Sequence, residues 1–294
     1  MQNSLKKLVT QLSLGFVLFI QFTLNTQADT VMQPINKLNI QAEAHYASGE
    51  ANKPAILILH GFLTTNKFHT IVSMTNALHN EGYSVLSPTL TLNIDNRKNS
   101  VKCNTVHTHT LENDIKEIHH WVNWLEKKGH KKIILVGHSN GSLELLEYLK
   151  QYSNPHIQKA IFTSIFYMAG EELGLKTNEI EFAKSLINQP NMQLHKFSFL
   201  FCKNNYLATP KSYLSYLKLT RAYVLDALKT LKIPHYSIMG GADKRYLAVG
   251  KKWIDDLKKT GTNLVTIDGA NHFFSNEHEF DLQDKIISIV NDVH

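Results

Sequence analysis

A serine between two glycines, directly after an apolar run, is the feature that most constrains how this chain can fold. Gly137–Gly141 reads Gly-His-Ser-Asn-Gly and follows Ile133–Val136, a run typical of a buried strand. The apolar residues after it predict a helix; they are Leu143, Leu145, Leu146 and Leu149. Small residues two positions either side of Ser139 allow a turn that lifts the serine hydroxyl above the edge of a sheet. The pattern therefore predicts a strand, a sharp turn at Ser139 and a helix.

Strand and helix patterns alternate along most of the remaining chain. Further strands are predicted at 39–46, 53–59, 83–87, 159–167, 233–239 and 263–267, and helices at 66–81 and 110–128. The run 53–59 is continuously apolar, as in a buried parallel strand, whereas 39–46 alternates like an antiparallel edge strand. Pro88 is expected to close the strand 83–87. This alternation predicts an α/β fold with a mostly parallel central sheet flanked by helices.

Residues suited to nucleophilic catalysis follow three of the predicted strands besides the one that precedes the turn at Ser139. Asp243 follows the strand 233–239, His272 follows the last strand, and the loop His60–Thr64 follows the strand 53–59. A serine hydroxyl needs a base, here His272, and Asp243 would orient the imidazole. The backbone N–H groups of Phe62 and Asn140 are candidates for an oxyanion hole. These residues predict a Ser139, Asp243, His272 triad.

The loop after strand 53–59, the turn at Ser139, the acid Asp243 and the base His272 follow one another in the chain order of the α/β-hydrolases. The chain resembles this superfamily over roughly residues 53–292. The resemblance implies an α/β-hydrolase fold and an acyl-transfer mechanism better than it implies a substrate. Phe62-Leu63-Thr64 after His60-Gly61 departs from the glycine-rich oxyanion loop of hormone-sensitive-lipase relatives and argues against that branch. Asp268 is the rival acid, but it lies only four residues before His272, so Asp243 is favoured.

The alternation breaks between about residues 168 and 213, where amphipathic helical pieces are mixed with aromatic residues. The resemblance implies a mainly helical lid insertion over the active site at this position. The aromatic side chains would then line an acyl or aromatic pocket. The alternative is that they hold the insertion to the rest of the domain.

The first 28 residues have the plan of a secretory signal peptide. Lys6 and Lys7 precede the apolar stretch Leu12–Ile20, and Thr26–Ala28 ends in small residues. We therefore expect an exported α/β-hydrolase domain over residues 29–294, periplasmic or secreted, without stable membrane insertion after cleavage; an uncleaved N-terminal anchor is the alternative. Removal of this segment would lower the formal net charge from +6 to +4, because it carries two lysines and no acid. Without a basic stripe interleaved with aromatic residues, no nucleic-acid partner is expected.

Two cysteines and one pair of histidines leave alternatives open. Cys103 and Cys202 could form a disulfide in an exported protein or remain as two thiols. His107 and His109 could bind zinc as a His-x-His pair, but no Asp-His follows to complete a dinuclear hydrolase pattern. We expect these histidines to line the approach to the active site, and we expect no metal and no cofactor.

Together these features predict a serine hydrolase that cleaves a small-molecule carboxylic ester or thioester through an acyl-enzyme. A peptidase or amidase could use the same triad. A cofactor-free lyase or haloperoxidase shares it too, and a binding protein that has lost activity is the alternative outside enzymes. The residues leave substrate chain length and oligomeric state open.

Overall fold

The computed structural model describes residues 28–35, 40–189, 193–245 and 252–292. The proposed signal peptide lies outside this part of the chain except for its last residue. The described strands are β1 (Asp29–Ile35), β2 (Ile40–Ala47), β3 (Ala55–Leu59), β4 (Ser84–Thr89), β5 (Ile133–His138), β6 (Ile157–Thr163), β7 (His195–Phe199), β8 (Cys202–Ala208), β9 (His235–Gly240) and β10 (Asn263–Ile267). The described α-helices are α1 (His69–Asn80), α2 (Leu111–Lys127), α3 (Asn140–Gln151), α4 (Thr177–Leu186), α5 (Pro210–Tyr216), α6 (Arg221–Thr230), α7 (Lys252–Lys258) and α8 (His278–Asn291).

Eight of the described strands form one sheet in the order β1-β2-β4-β3-β5-β6-β9-β10. The six strands from β4 to β10 in that order are parallel, whereas β1 and β2 pair antiparallel at one side. Because parallel strands point the same way, the loops after β3, β5, β9 and β10 meet at one edge of the sheet. These loops carry all the candidate site residues. The mostly parallel sheet flanked by helices that the sequence predicts is confirmed.

Helices cover both faces of the sheet and bury two apolar clusters. Alternating residues of β3 face opposite sides, so Leu57 joins the cluster that contains α2, α3, α6 and α7, whereas Ile58 joins the one that contains α1 and α8. Helix α2 begins where Thr110 caps it, since the Thr110 hydroxyl accepts from the Asn113 N–H and the Asn113 side chain accepts from the Thr110 N–H. No helix in the described ranges is both long and apolar enough to cross a membrane.

The structure corrects two details of the predicted strands. Segment 39–46, of which residue 39 lies outside the described residues, was expected at the sheet edge, but β1 pairs with residues 40–46 of β2 and is itself the edge strand. Pro88 does not close β4, because the strand continues to Thr89 with Pro88 opposite Ala44 of β2. A proline is compatible with a strand where its missing N–H is not needed for the ladder.

The segment between β6 and α6 contains a 3-10 helix at Glu171–Leu173, helices α4 and α5, and the antiparallel hairpin β7-β8. No pattern in the sequence predicted the hairpin, although the aromatic residues of that stretch are prominent. A disulfide joins Cys103, in the loop after β4, to Cys202 at the start of β8, with 5.5 Å between their Cα atoms. The hairpin is therefore tied covalently to the main domain.

Candidate active site

Ser139 lies in a strained turn between β5 and α3. Its φ of 55° and ψ of −119° fall outside the regions that L-residues prefer. Close packing around the turn accounts for the glycine on its far side: a Cβ at Gly141 would lie 2.5 Å from the carbonyl oxygen of His60. The Ser139 N–H donates to the carbonyl of Thr163 on β6 at 2.9 Å, which holds the turn to the sheet. The predicted strand, turn and helix are all present.

The structure brings Ser139, Asp243 and His272 together. His272 Nδ1 lies 2.6 Å from Asp243 Oδ2, and His272 Nε2 lies 2.9 Å from Ser139 Oγ. With Nδ1–H donating to the carboxylate, Nε2 is left as the acceptor for the serine hydroxyl. Asp243 is 1% exposed, whereas the rival Asp268 is exposed at the surface.

Hydrogen bonds to the backbone fix the loops that carry the acid and the base. The Ser164 hydroxyl donates to the carbonyl of His272 at 2.7 Å. The N–H of Arg245 donates to Asp243 Oδ1 at 2.8 Å, so both carboxylate oxygens have a partner. Such support holds the imidazole and the carboxylate in one relative orientation.

Burial lowers the pKa of His272 below its ordinary value of 6.5, and the nearby Arg245 guanidinium lowers it further. The carboxylate of Asp243 acts in the opposite direction, but burial is the largest cause. His272 is therefore neutral at neutral pH, which is the state in which it can accept a proton from Ser139.

The proposed oxyanion donors lie on either side of Ser139. Asn140 is the first residue of α3, where the backbone N–H groups have no partner within the helix. Gly61 lies so close to the turn that an added Cβ would be 3.2 Å from Ser139 Cβ, which places the following Phe62 beside the serine. Within the described residues, neither the Phe62 nor the Asn140 N–H donates to another group of the protein. Both donors are therefore available to a ligand.

A buried network that the sequence analysis missed holds the loop after β3. His60 Nε2 accepts from the N–H of Leu90 at 3.0 Å, so its Nδ1 donates to the carbonyl of Gly61 at 2.8 Å. The Arg97 guanidinium donates to the carbonyls of Leu90 and Thr64 at 2.6 and 2.9 Å. Burial, followed by the charge of Arg97, lowers the pKa of His60 to about 3, so His60 remains neutral. No local sequence signal distinguishes Arg97 from a surface arginine.

Buried carboxyl groups lie beyond this network on α2 and α3. Asp114, Glu117 and Glu144 are each at most 3% exposed. The Glu144 carboxylate accepts from the side-chain amide of Asn140, which connects the cluster to the turn at Ser139. Burial raises the pKa of Glu117 to about 7 and that of Glu144 well above its ordinary value.

A cavity of about 970 Å³ opens above Ser139. Its walls come from the loop after β3, the start of α3, the segment after β6, the hairpin β7-β8 and the loop after β9; the residues are Phe62, Ser139, Asn140, Leu143, Phe166, Tyr167, Met168, Glu172, Leu173, Gly174, Lys176, Ser198, Leu200, Phe201, Lys203, Asn204, Lys244 and Arg245. Most of the wall is apolar, as in pockets that bind small organic molecules. Several residues of the segment 168–213 therefore border the space above Ser139.

His107 and His109 do not line this cavity, so that expectation is wrong. Both are buried: His107 stacks on Tyr206 with ring centroids 4.3 Å apart, and His109 Nδ1 lies 2.7 Å from the Tyr216 hydroxyl. Their loop leaves the end of a parallel strand, but at His107 it pairs with β8, where the N–H of His107 donates to the carbonyl of Leu207 at 2.9 Å.

The structure has the α/β-hydrolase fold, as the resemblance implied. A carboxyl esterase from Bacillus coagulans superposes with a TM-score of 0.69 at 14% identity, covering 90% of this chain and 98% of that one. Est1E from Butyrivibrio proteoclasticus with bound ferulic acid gives 0.62 at 19% identity, with 88% and 97% covered. A bromoperoxidase from Bacillus anthracis gives 0.59 at 19% identity, with 90% and 100% covered.

Sequence comparisons add less than the structural ones. A family model described as "Protein of unknown function (DUF1749)" matches residues 25–169, a range that contains the loop after β3 and the turn at Ser139. No curated protein matches the chain significantly. The similarity to these solved structures, which include esterases, shows the α/β-hydrolase fold.

Proposed function

We propose that this protein is an exported serine hydrolase that cleaves a carboxylic ester or thioester through an acyl-enzyme. The observation that carries the proposal is the chain of two hydrogen bonds from Asp243 through His272 to Ser139, at 2.6 and 2.9 Å. The carboxyl esterase and the ferulic acid complex among its structural neighbours support an ester as substrate.

The mechanism follows from these contacts. Ser139 Oγ attacks the substrate carbonyl while His272 Nε2 takes its proton, and Asp243 stabilises the imidazolium that forms. The N–H groups of Phe62 and Asn140 donate to the oxyanion of the tetrahedral intermediate. His272 then protonates the leaving alcohol or thiol, which leaves an ester on Ser139. A water molecule, deprotonated by His272, attacks this ester and releases the acid.

Export is supported by two independent features. The N-terminal pattern of lysines, apolar residues and small residues is that of a signal peptide. The Cys103–Cys202 disulfide is of a kind that persists in oxidising compartments. Expression of the full chain in a bacterial host, followed by mass spectrometry of the N-terminus, should give cleavage near Asp29. An intact N-terminus in the membrane fraction would contradict this part of the proposal.

We also propose that the segment 168–213 is a lid over the site. Its aromatic residue Phe201 is 56% exposed although it borders the cavity, so a long acyl chain could cover it. Phe201→Ala is then expected to lower kcat/KM for long acyl esters more than for short ones. Equal effects on all chain lengths would argue against this role.

The proposed reaction is tested by hydrolysis of a p-nitrophenyl acyl series from short to long chains, with Ser139→Ala as the matched variant. Loss of a triad member should lower kcat by several orders of magnitude, far more than removal of a surface hydroxyl such as that of Ser100. If no ester is hydrolysed, labelling by a fluorophosphonate decides the matter. Labelling at Ser139 would indicate an active triad with another acyl substrate, such as an amide, whereas no labelling would contradict a serine hydrolase.

A further inference from the structure

The cavity above Ser139 is apolar in its walls but carries an excess of positive charge. Among the described residues, its lining includes the cations Lys176, Lys203, Lys244 and Arg245, against one carboxylate, that of Glu172. Glu172 is already engaged, because its Oε1 accepts from the Tyr167 hydroxyl at 2.5 Å. The three lysines are exposed and lie toward solvent, whereas Arg245 is partly buried and lies next to the serine.

The Arg245 guanidinium contacts the reacting atom of the proposed mechanism. Its Nη1 lies 3.4 Å from Ser139 Oγ, and its backbone N–H binds Asp243 two residues earlier. Within the described ranges, this guanidinium has no carboxylate at salt-bridge distance, and Asp243, whose charge opposes the lowering of the pKa of Arg245 by burial, is itself bound to His272. A partly buried guanidinium without a bonded counter-ion is costly, and its planar set of donors suits a carboxylate.

Hydrolysis of a neutral ester does not require a cation at this position, because the N–H groups of Phe62 and Asn140 already serve as the proposed donors to the oxyanion. In the proposed mechanism, positive charge develops on His272 as it takes the serine proton. A neighbouring guanidinium opposes that charge, as its lowering effect on the pKa of His272 indicates. An anion bound at Arg245 would screen the repulsion and favour the same step.

We propose that the substrate carries a carboxylate within a few bonds of the scissile carbonyl, and that Arg245 binds it. The short distance from Arg245 to Ser139 Oγ sets this spacing, because the attacked carbonyl lies about 3–3.5 Å from the hydroxyl before reaction. The apolar wall of the cavity contacts the rest of the substrate. The substrate class is thus an ester with one short anionic arm and one apolar arm. This inference rests on Ser139 as the nucleophile proposed above.

The carboxylate could belong to the acyl part or to the alcohol part, and isosteric ester pairs distinguish the two. Butyl hydrogen succinate is compared with butyl succinamate, in which a neutral amide replaces the carboxylate of the acyl part. (Butanoyloxy)acetate is compared with (butanoyloxy)acetamide for the alcohol part. We expect the wild-type protein to hydrolyse at least one anionic ester with a kcat/KM ten or more times that of its amide.

Arg245→Gln should bring this anionic-to-neutral ratio close to one, whatever happens to the two absolute rates. Arg245→Lys should retain part of the ratio, because it keeps the charge but not the fork of donors. Lys285→Gln, at an exposed position on α8, removes the same charge away from the cavity and should keep the ratio. A wild-type ratio near one would overturn the proposal. So would an Arg245→Gln variant in which both rates fall but the ratio persists, since Arg245 would then act on Ser139 or His272 and not on the substrate.

Binding to the Ser139→Ala variant separates recognition from chemistry. Calorimetric titration with butyl hydrogen succinate, butyl succinamate and the second ester pair requires no turnover. Binding that is at least tenfold tighter for an anionic ester than for its amide, with this preference lost in Ser139→Ala/Arg245→Gln, would support the anion site. This result would stand even if no ester were hydrolysed, and only the hydrolase proposal would then fail. Equal binding within both pairs would overturn the anion site independently of activity.

Discussion

The backbone of Ser139 shows how single residues determine the geometry of this site. A non-glycine residue at φ 55° raises the free energy of the fold by on the order of 1–3 kcal/mol, and contacts in the surrounding structure must offset this strain. The packing of Gly141 against the carbonyl of His60 and the bond from the Ser139 N–H to Thr163 do so. The serine hydroxyl is therefore held 2.9 Å from His272 Nε2.

The environment of His272 predicts the pH dependence of hydrolysis. Because burial lowers its pKa, His272 stays neutral, and able to act as a base, to a lower pH than a free histidine does. The acid limb of kcat/KM, measured with the neutral ester butyl succinamate, should therefore have its midpoint below 6.5. Arg245→Gln removes a cation that lowers the pKa of His272, so the midpoint of the acid limb in this variant should move to higher pH.

Two results would contradict this account of His272. One is an acid limb above pH 6.5 in the wild-type protein, since that would require a raised pKa. The other is an equal displacement of the midpoint in Lys285→Gln, which would indicate an effect of net charge and not of the adjacent guanidinium.

Among the elements, the hairpin β7-β8 connects the cavity to the oxyanion loop. The ring of Phe62 packs edge-on against Phe199 and Phe201 of the hairpin, with centroids 5.6 Å apart in both pairs. The Cys103–Cys202 disulfide fixes the turn of this hairpin to the loop after β4. The position of a proposed oxyanion donor thus depends on an element far away along the chain.

Removal of the disulfide should lower the free energy of unfolding by about 2–5 kcal/mol, because the bond closes a long loop between cysteines that are 99 positions apart in the sequence. The double variant Cys103→Ser/Cys202→Ser is compared with the wild-type protein by urea denaturation, and reduced wild type serves as the control for the substitutions themselves. Both should also hydrolyse the neutral ester more slowly if the hairpin holds Phe62. Two thiols that react freely in the native, unreduced protein would contradict the bond.

Periodicity and strand order predicted the elements that build the core, but not those at its margins. The central strands β3 and β5 are recognisable because both of their faces are buried, and residues 55–59 and 133–136 are accordingly continuously apolar. The edge strand β1 is mostly exposed and carries no such pattern. Likewise, the roles of Arg97 and Arg245 arise from long-range contacts, with His60 and with Ser139 106 residues away, which spacing does not encode.

At the scale of the whole molecule, the balance of buried charge is unusual. Asp114, Glu117 and Glu144 are buried together near one buried cation, Arg97. Burial and the neighbouring carboxyl groups raise the pKa values of Glu117 and Glu144, so the folded protein retains protons there. Glu117 accepts hydrogen bonds from the N–H and the hydroxyl of Thr91, yet burial still dominates and raises its pKa to about 7.

This raised pKa makes the stability of the whole fold depend on pH. Glu117 holds its proton up to about pH 7 in the folded protein but releases it near pH 4.5 when unfolded, so between these values a rise in pH favours unfolding. Glu117→Gln has no proton to release. The free energy of unfolding, measured by urea denaturation, is compared between the wild-type protein and Glu117→Gln. The wild-type value minus the variant value should fall by about 2 kcal/mol from pH 5 to pH 7.

The comparison isolates Glu117 because the buried histidines, whose lowered pKa values make stability rise with pH, are present in both proteins and cancel in the difference. Glu112→Gln provides the matched control: it lies on the same helix, but its side chain is exposed and pairs with Lys116 in solvent. Its stability relative to wild type should change by less than about 0.5 kcal/mol over the same range. Parallel pH profiles for wild type and Glu117→Gln would mean that Glu117 is ionised in the folded protein, with Arg97 and the Thr91 hydrogen bonds outweighing its burial.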